Sequence, residues 1–213
     1  MYTKRETVSK SWPVPRKGTK YIVVPSHSKK SGIPVLVILR DLLGLVKTRR
    51  ELEKLILEKK VLINNRIIFN ANHSLLLFDT ISLPTIKKYF LLTYSSSGKM
   101  IVNEINEGES KEKVSKVINK KIIKGKKIQL NFQDGRNIIS KENVKIGDSV
   151  LINFDKKSIE KVLPIKEKSK ILVIKGKHRG KIGLITKIDG KELHVKIDDK
   201  DHMIKENEVI ITK

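Results

Sequence analysis

The sequence predicts an α+β multidomain protein, in which a helix-turn-helix and β module precedes two small β-barrels. Two observations support this architecture. Apolar residues recur at helical spacing between residues 34 and 57, whereas short alternating runs separated by glycine turns follow residue 89. The hydrophobic fraction of 38% in 213 residues favours several small cores over a single large one.

The charge of the chain indicates a polyanionic partner. Lys and Arg number 46 against 23 Asp and Glu, which gives a net charge of +23. The apolar runs are far too short to span a membrane and no signal-peptide pattern opens the chain, so we expect no membrane partner. The absence of cysteine excludes disulfides and thiolate metal sites, and it suits a reducing cytosol.

Changes in pattern divide the chain into a basic arm over 1–32, an α+β domain over 33–93, a central barrel over 94–166 and a last barrel over 167–213. The arm has little apolar surface and no steady period, so we expect it to become ordered against its partner. Trp12 either stacks on a nucleic-acid base or packs on the next domain. Arg16 and Lys17 are the candidate contacts of the arm.

Two helices are predicted in the second section. The first covers Pro34–Leu43, since a proline suits the first turn and apolar residues follow at helical spacing. Gly44 stands where a left-handed cap would end this helix. Thr48 and Glu51 have the spacing of a capping box, which predicts the start of the second helix. Its buried stripe would contain Leu52, Leu55 and Ile56.

A β-hairpin is predicted next, because Val61–Ile63 and Arg66–Phe69 flank two asparagines, which tolerate positive φ. Half of the eight arginines lie between Arg40 and Arg66. Arginine binds phosphate through a two-point fork, and a helix N-terminus adds N–H groups that favour anions, so this cluster indicates nucleic acid. A solvated charged face is the alternative. The candidate contacts are Arg40, Lys47, Thr48, Arg49, Arg50, Lys54 and Arg66.

Three of these segments resemble the "S-four" RNA-binding module of ribosomal proteins, pseudouridine synthases and tyrosyl-tRNA synthetases. They are Arg40–Leu43, Lys47–Glu51 and Val61–Asn65. The module usually has a glycine two residues before the valine of the first strand, and this chain has Lys59 there. Either Lys59 adopts a positive φ or the second helix ends differently.

The central section alternates at short range, with strands predicted at Phe90–Tyr94, Met100–Val102, Lys127–Phe132 and Ser149–Phe154. A short helix is predicted from Ser110 to Val117. A lysine cluster lies on the predicted rim of this barrel, and both RNA contact and plain solubility remain open for it. Its members are Lys120, Lys121, Lys124, Lys126 and Lys127.

The last section places a glycine-rich basic loop, residues 175–183, after the predicted strand Ile171–Ile174. Glycines in such a loop would allow the backbone to approach a phosphate closely. Alternation over Leu193–Ile197 puts Leu193, Val195 and Ile197 inside. The loop resembles the KOW motif, an SH3-like barrel common in ribosomal proteins and transcription elongation factors. Its candidate contacts are Lys175, Lys177, His178, Arg179 and Lys181.

In order, these motifs are similar along essentially the full chain to archaeal and eukaryotic-type small-subunit ribosomal protein four. Three further segments contribute to the resemblance: Lys10–Val14, Asp134–Asn137 and Gly147–Val150. The resemblance implies a structural constituent of the small subunit of cytoplasmic ribosomes, in contact with small-subunit rRNA and neighbouring ribosomal proteins. It implies no catalytic residue, metal, cofactor or small-molecule substrate.

Three alternatives remain open. An RNA-modifying enzyme would need a larger catalytic domain with a buried carboxylate, whereas Asp134, Asp148 and Asp189 all lie in glycine turns, which aspartate favours. A KOW-type transcription elongation or antitermination factor would explain the last loop but not the arm or the first module. A general RNA chaperone would be compatible with the charge of the whole chain.

Overall fold

The computed structural model describes residues 2–123, 127–140, 144–190, 192–198 and 200–212. Of the predicted lysine cluster, Lys124 and Lys126 lie outside the described residues. The chain divides into two compact units. The first contains Met1–Tyr94 and Lys99–Lys111, and the second contains Ser95–Gly98 and Glu112–Lys213.

The first unit is built on a five-stranded antiparallel sheet in the order β5-β4-β7-β8-β9, with the small pairs β1-β2 and β3-β6 beside it. Its described strands are β1 Tyr2–Lys4, β2 Tyr21–Val23, β3 Ile33–Pro34, β4 Leu62–Ile63, β5 Arg66–Ile67, β6 Ser74–Leu75, β7 Thr80–Leu83, β8 Lys88–Tyr94 and β9 Met100–Ile105. Its helices are α1 Val35–Val37, α2 Arg49–Leu57 and α3 Glu107–Ser110.

The first predicted helix begins one residue later than expected, and much of it is π-helical instead of α-helical. Pro34 is extended and pairs with Ser74 in β3, so the helix begins only at Val35. It continues from α1 into a π-helical segment, Ile38–Leu42, and Gly44 then adopts the predicted left-handed conformation at φ +63°. Every residue from Val35 to Leu39 is apolar and buried in the main hydrophobic core, whereas Arg40 is partly exposed and Asp41 is exposed.

The predicted β-hairpin is present, with β4 and β5 paired on either side of a two-residue turn. Asn64 and Asn65 have φ values of +50° and +59°, as the tight turn between β4 and β5 requires. Lys59 has a φ of +56°, so it adopts the backbone conformation that a glycine would supply. The Asn64 amide also donates to Asp79 Oδ1 at 2.7 Å and accepts from the Thr80 N–H at 3.0 Å, which fixes the turn on the buried sheet.

The arm is part of the first unit, contrary to the expectation that it orders only on a partner. Strands β1 and β2 pair with each other, and Trp12, Ile22 and Val23 join the main core. Trp12 is only 5% exposed, so its ring packs inside the unit and is not free to stack on a base. The apolar residues of the arm are too few to form a core of their own, but they pack into the hydrophobic core of the residues that follow Ile33.

The predicted boundary at residue 93 also differs from the structure. Strand β9 pairs with β8 from Met100 to Ile105, and the first unit extends to Lys111. The hairpin therefore adds two strands to the first sheet and contributes none to the central one. Alternation reveals a strand but not its partner, and for that reason the sequence placed β9 in the wrong domain.

The second unit contains two five-stranded antiparallel sheets, with the orders β12-β11-β10-β13-β14 and β18-β17-β16-β15-β19. The strands of the first are β10 Glu112–Ile123, β11 Lys127–Phe132, β12 Asn137–Ser140, β13 Ser149–Asn153 and β14 Ser158–Leu163. Those of the second are β15 Lys170–Val173, β16 Ile182–Asp189, β17 Glu192–Ile197, β18 Lys200–Lys205 and β19 Val209–Ile211.

Strand β10 replaces the helix predicted at Ser110–Val117. The helix α3 ends at Ser110, and β10 runs for 12 residues from Glu112. Its first half pairs with β13 and its second half with β11, so it joins both parts of the sheet. The helix prediction was wrong, and Lys113 and Lys116 are buried in the strand.

In the last sheet, the predicted alternation is confirmed: Leu193, Val195 and Ile197 are each at most 1% exposed. Gly183 faces the same interior from β16. A Cβ added there would lie 2.6 Å from Val195 Cγ1 and 2.8 Å from Ile197 Cγ1, so this position has no space for a side chain. Strand β18 was not predicted from the sequence.

Candidate nucleic-acid interface

The start of α2 carries the densest group of predicted contacts. Lys47, Thr48, Arg49 and Arg50 are all exposed there. The predicted capping box is present: the Thr48 hydroxyl accepts from the Glu51 N–H at 3.3 Å, and Glu51 Oε2 accepts from the Lys47 N–H at 2.7 Å. The last contact holds the pKa of Glu51 below its usual value. A carboxylate of the chain itself therefore occupies this N-terminus.

Two of the predicted arginines are paired with acidic neighbours. Arg40 donates to Asp41 through Nε at 2.7 Å and through Nη2 at 3.0 Å, which raises the pKa of Arg40. Arg49 Nε donates to Glu53 Oε1 at 2.7 Å. All four side chains are at least a third exposed, so the pairs contribute little to stability and can open toward a phosphate.

Arg50, Lys54 and Arg66 are exposed and have no ion pair within the part of the chain that the structure describes. Arg66 lies on β5, the edge strand of the first sheet. Phe69, just beyond this strand, is 89% exposed, although the sequence analysis treated it only as a strand residue. An aromatic ring presented in this way can stack on an unpaired base, and its place directly after an arginine-containing edge was the available signal.

The contacts predicted in the arm, Arg16 and Lys17, lie exposed in the loop between β1 and β2. Arg5 fixes this loop, a role that the sequence did not indicate. Its guanidinium donates to the Pro15 carbonyl through Nη1 and to the Thr19 carbonyl through Nε at 2.7 Å. The backbone is thus held on both sides of the two basic residues, while their side chains remain in solvent.

In the second unit, Lys175 and Lys177 are exposed and His178, Arg179 and Lys181 are partly exposed. Lys181 Nζ is 2.6 Å from Asp198 Oδ2. The rings of His178 and His202 lie 4.2 Å apart. Desolvation, together with His202 and the nearby lysines, holds the pKa of His178 below its usual value, which favours the neutral imidazole.

The glycines of this loop serve packing within the protein. A Cβ on Gly180, whose φ is +86°, would lie 1.9 Å from the Ser95 carbonyl oxygen. At Gly176, where φ is +82°, an added Cβ would lie 3.1 Å from Glu208 Oε2. The expectation that these glycines open the backbone to a phosphate is therefore not supported at Gly180, where the space is filled by the chain itself.

The three aspartates considered as catalytic carboxylates are engaged in contacts within the protein. Asp134 pairs with Lys113 in the interior, and Asp148 accepts from the N–H groups of Lys145 and Ile165, both at 3.1 Å. Asp189 pairs with Lys187 and His194. Among the described residues, no group of His, Asp and Glu is arranged to hold a metal ion. No helix in the described ranges is long and apolar enough to cross a membrane.

The similarity of this chain to known proteins covers most of its length and not only the individual motifs. The model of the ribosomal family S4e matches residues 86–159. Small ribosomal subunit protein eS4 of Nanoarchaeum equitans is 36% identical over 185 residues, which cover 85% of this chain and 79% of the relative. The same protein of Methanocella arvoryzae is 32% identical over 88% of this chain and 80% of its own length.

A solved structure supports the fold. The crystal structure of the 30S ribosomal protein S4e from Thermoplasma acidophilum superimposes with a TM-score of 0.72, over 85% of this chain and 94% of that one, at 22% identity. The shared fold is mostly β-sheet with few helices. Together with the similarity to the archaeal proteins over most of their length, this shows that the chain belongs to the S4e family of ribosomal proteins.

Proposed function

We propose that this chain is a non-catalytic, structural constituent of the small ribosomal subunit that binds small-subunit rRNA and contacts neighbouring ribosomal proteins. One observation carries the assignment of the interface: none of the fourteen predicted contact residues is buried. They form three groups, the arm loop with Arg16 and Lys17, the module around α2 and β5, and the loop over residues 175–181. In domain terms, we assign the S-four-like module to residues 33–93, with the helical segment from Val35, α2 and the β4–β5 hairpin, and the SH3-like barrel to the last sheet.

The physical basis of binding is neutralisation of phosphates and release of counterions. Arg50 and Arg66 bind without first breaking an ion pair, whereas Arg40 and Arg49 exchange Asp41 and Glu53 for phosphate. RNA in A-form presents mainly its backbone and 2′-hydroxyls to a protein, so shape supplies much of the specificity. Phe69 adds one stacking surface for an unpaired base.

The alternative functions have less support. An RNA-modifying enzyme would need a free carboxylate in a cleft, whereas Asp134, Asp148 and Asp189 each have contacts within the protein. A transcription elongation factor would share the last loop but not the similarity to eS4 proteins over most of the chain. A general RNA chaperone would bind different RNAs with equal affinity, whereas a structural constituent of the small subunit should prefer its own rRNA.

The test is the binding of the full chain to its own small-subunit rRNA over a range of salt concentrations. Six phosphate contacts predict an affinity loss of about a thousandfold between 50 and 200 mM salt. A control RNA of equal length and scrambled sequence should bind more weakly at every salt concentration. Equal affinity for both RNAs would favour a chaperone, and binding that ignores salt would contradict the proposed interface.

A further inference from the structure

The second unit contains a groove of about 580 Å³ that residues of both its sheets line. This volume is within the range of small-ligand sites. The central sheet contributes β10 around Val117 and the turn at Ile146 and Gly147, and the last sheet contributes the segment from Lys205 to Asn207. Of the residues in the proposed interface, Lys175 also lines this groove.

Two exposed isoleucines line the groove. Ile118 is 54% exposed and Ile146 is 52% exposed. Ile118 lies at a β-bulge, since the register with β11 shifts between Val117 and Asn119. A bulge re-aims a side chain and is found next to functional sites more often than elsewhere. The backbone around it is fixed, because Val117 N–H donates to the Asp148 carbonyl and the Val117 carbonyl accepts from Gly147 N–H, both at 2.9 Å.

Lys116 holds the two walls of the groove together. Its side chain crosses from β10 to the last sheet, where Nζ donates to the Val209 carbonyl at 2.8 Å and to the Glu206 carbonyl. Desolvation lowers the pKa of this buried lysine to about 8. The two carbonyl groups supply hydrogen-bond acceptors for its ammonium group in the interior. Lys116 is therefore a positioning residue, and the groove has a defined shape before any ligand binds.

The polar groups of the groove fit a nucleotide better than a free phosphate. Lys175 and Lys205 are exposed cations on its lining, which suit a phosphate group. Gln133 and Asn207 are exposed amides that can both donate and accept at a base edge. The groove also carries carboxylates, among them that of Glu206, which repel a lone phosphate but accept from the amino and imino groups of a base.

The groove is continuous with the proposed RNA interface through Lys175, which also begins the basic loop over residues 175–181. We propose that it receives one unpaired nucleotide of the bound rRNA, a deeper statement that rests on the proposed function. The base lies against Ile118 and Ile146, and its phosphate meets Lys175 and Lys205. Binding of this kind selects for single-stranded RNA, because a paired base cannot leave its stack without cost.

The first experiment follows the isoleucine methyl signals of the full chain by NMR during titration with single-stranded hexaribonucleotides. The signals of Ile118 and Ile146 are expected to shift, while that of Ile139, which is 60% exposed on β12 and outside the groove lining, should stay in place. An RNA duplex of the same length should leave all three unmoved. Shifts with the duplex, or equal shifts of all three signals, would overturn the proposal.

The second experiment compares threonine variants, which keep a β-branched side chain. Ile118→Thr and Ile146→Thr should each weaken single-strand binding about fivefold, since each change removes apolar surface that the base would cover. The matched control Ile139→Thr should leave affinity unchanged, and thermal unfolding should show that all three variants fold. Unchanged affinity of the two groove variants would overturn the proposal, as would methyl shifts with neighbouring subunit proteins in place of RNA.

These outcomes distinguish a failure of the groove proposal from a failure of the proposed rRNA-binding function. If the chain binds rRNA with steep salt dependence but the groove signals do not move, the groove proposal alone fails. If the chain binds neither its rRNA nor the oligonucleotides, the proposed function fails and the groove proposal fails with it.

Discussion

The variant Asp134→Asn is expected to destabilise the second unit by about 3–5 kcal/mol. Asp134 Oδ2 lies 2.8 Å from Lys113 Nζ, and the two side chains are only 6% and 1% exposed. Removal of the Asp134 charge takes this close counterion away from a buried ammonium group, which costs far more than the pair itself contributes. Urea unfolding followed by circular dichroism would measure the loss.

Two further variants make this prediction specific. Asp198→Asn removes an ion pair of the same kind with Lys181, but this pair is 71% and 36% exposed, so the expected loss is below about 1 kcal/mol. Replacement of both buried partners, in Lys113→Met with Asp134→Leu, should recover much of the lost stability. Equal effects at Asp134 and Asp198 would contradict the role given to burial.

The same pair predicts a pH dependence. Burial alone raises the pKa of Asp134, but attraction to Lys113, its hydrogen bond and Arg136 together hold the pKa below its usual value. The folded state therefore binds this proton less readily than the unfolded state. The contribution to stability is complete above the unfolded pKa of about 3.9 and is lost as the pH falls through the folded pKa. The Asp134→Asn variant should lack this acid-dependent loss.

The double variant Arg50→Glu with Arg66→Glu is expected to weaken rRNA binding about 100-fold at physiological salt. Both arginines are exposed without ion pairs in the described ranges, so the change removes two of the proposed phosphate contacts and adds two repulsive charges. The slope of log affinity against log salt should also decrease by about 1 for each lost contact. Filter binding at four salt concentrations would measure both quantities.

The matched control for this change is Lys156→Glu with Lys161→Glu. These two lysines are exposed near and on β14 and are not among the predicted contacts, and their reversal changes the net charge by the same amount. The control should lose only a small part of the affinity through the general field of the protein. A similar loss in both variants would mean that net charge, and not the module around α2, determines binding.

Local features of the first module were predictable because each depends on residues close in sequence. The Thr48–Glu51 capping box, the left-handed Gly44 and the Asn64-Asn65 turn follow from side-chain chemistry at fixed spacing. At Lys59 the resemblance left two alternatives, a positive φ or a different end of the helix, and the structure has the positive φ. Alternation likewise identified the interior of β17.

Features that depend on distant partners were not predictable. Trp12 packs into a core supplied by other sections, β9 pairs with β8, and β10 buries two lysines whose partners come from other strands. A single sequence shows the charge of Lys113 and Lys116 but not the carboxylate or carbonyls that compensate it. The helix predicted at Ser110–Val117 failed for the same reason.

The candidate interface was predicted in outline but not in its electrostatics. The sequence identified exposed basic residues, yet it could not show that Glu51 occupies the N-terminus of α2 or that the His178 pKa is lowered by its surroundings. It also missed the groove, because the bulge at Ile118 exists only through pairing with β11. These properties arise from contacts between segments that are far apart along the chain.

The most direct test of the central claim is sedimentation of a cell lysate through a sucrose gradient at high salt and magnesium, with detection of the protein in each fraction. The account predicts that the protein travels with the small subunit at about one copy per particle and survives the wash, whereas the Arg50→Glu with Arg66→Glu variant is depleted from that peak. A wild-type protein that remains at the top of the gradient, or that leaves the subunit in moderate salt, would contradict a structural role.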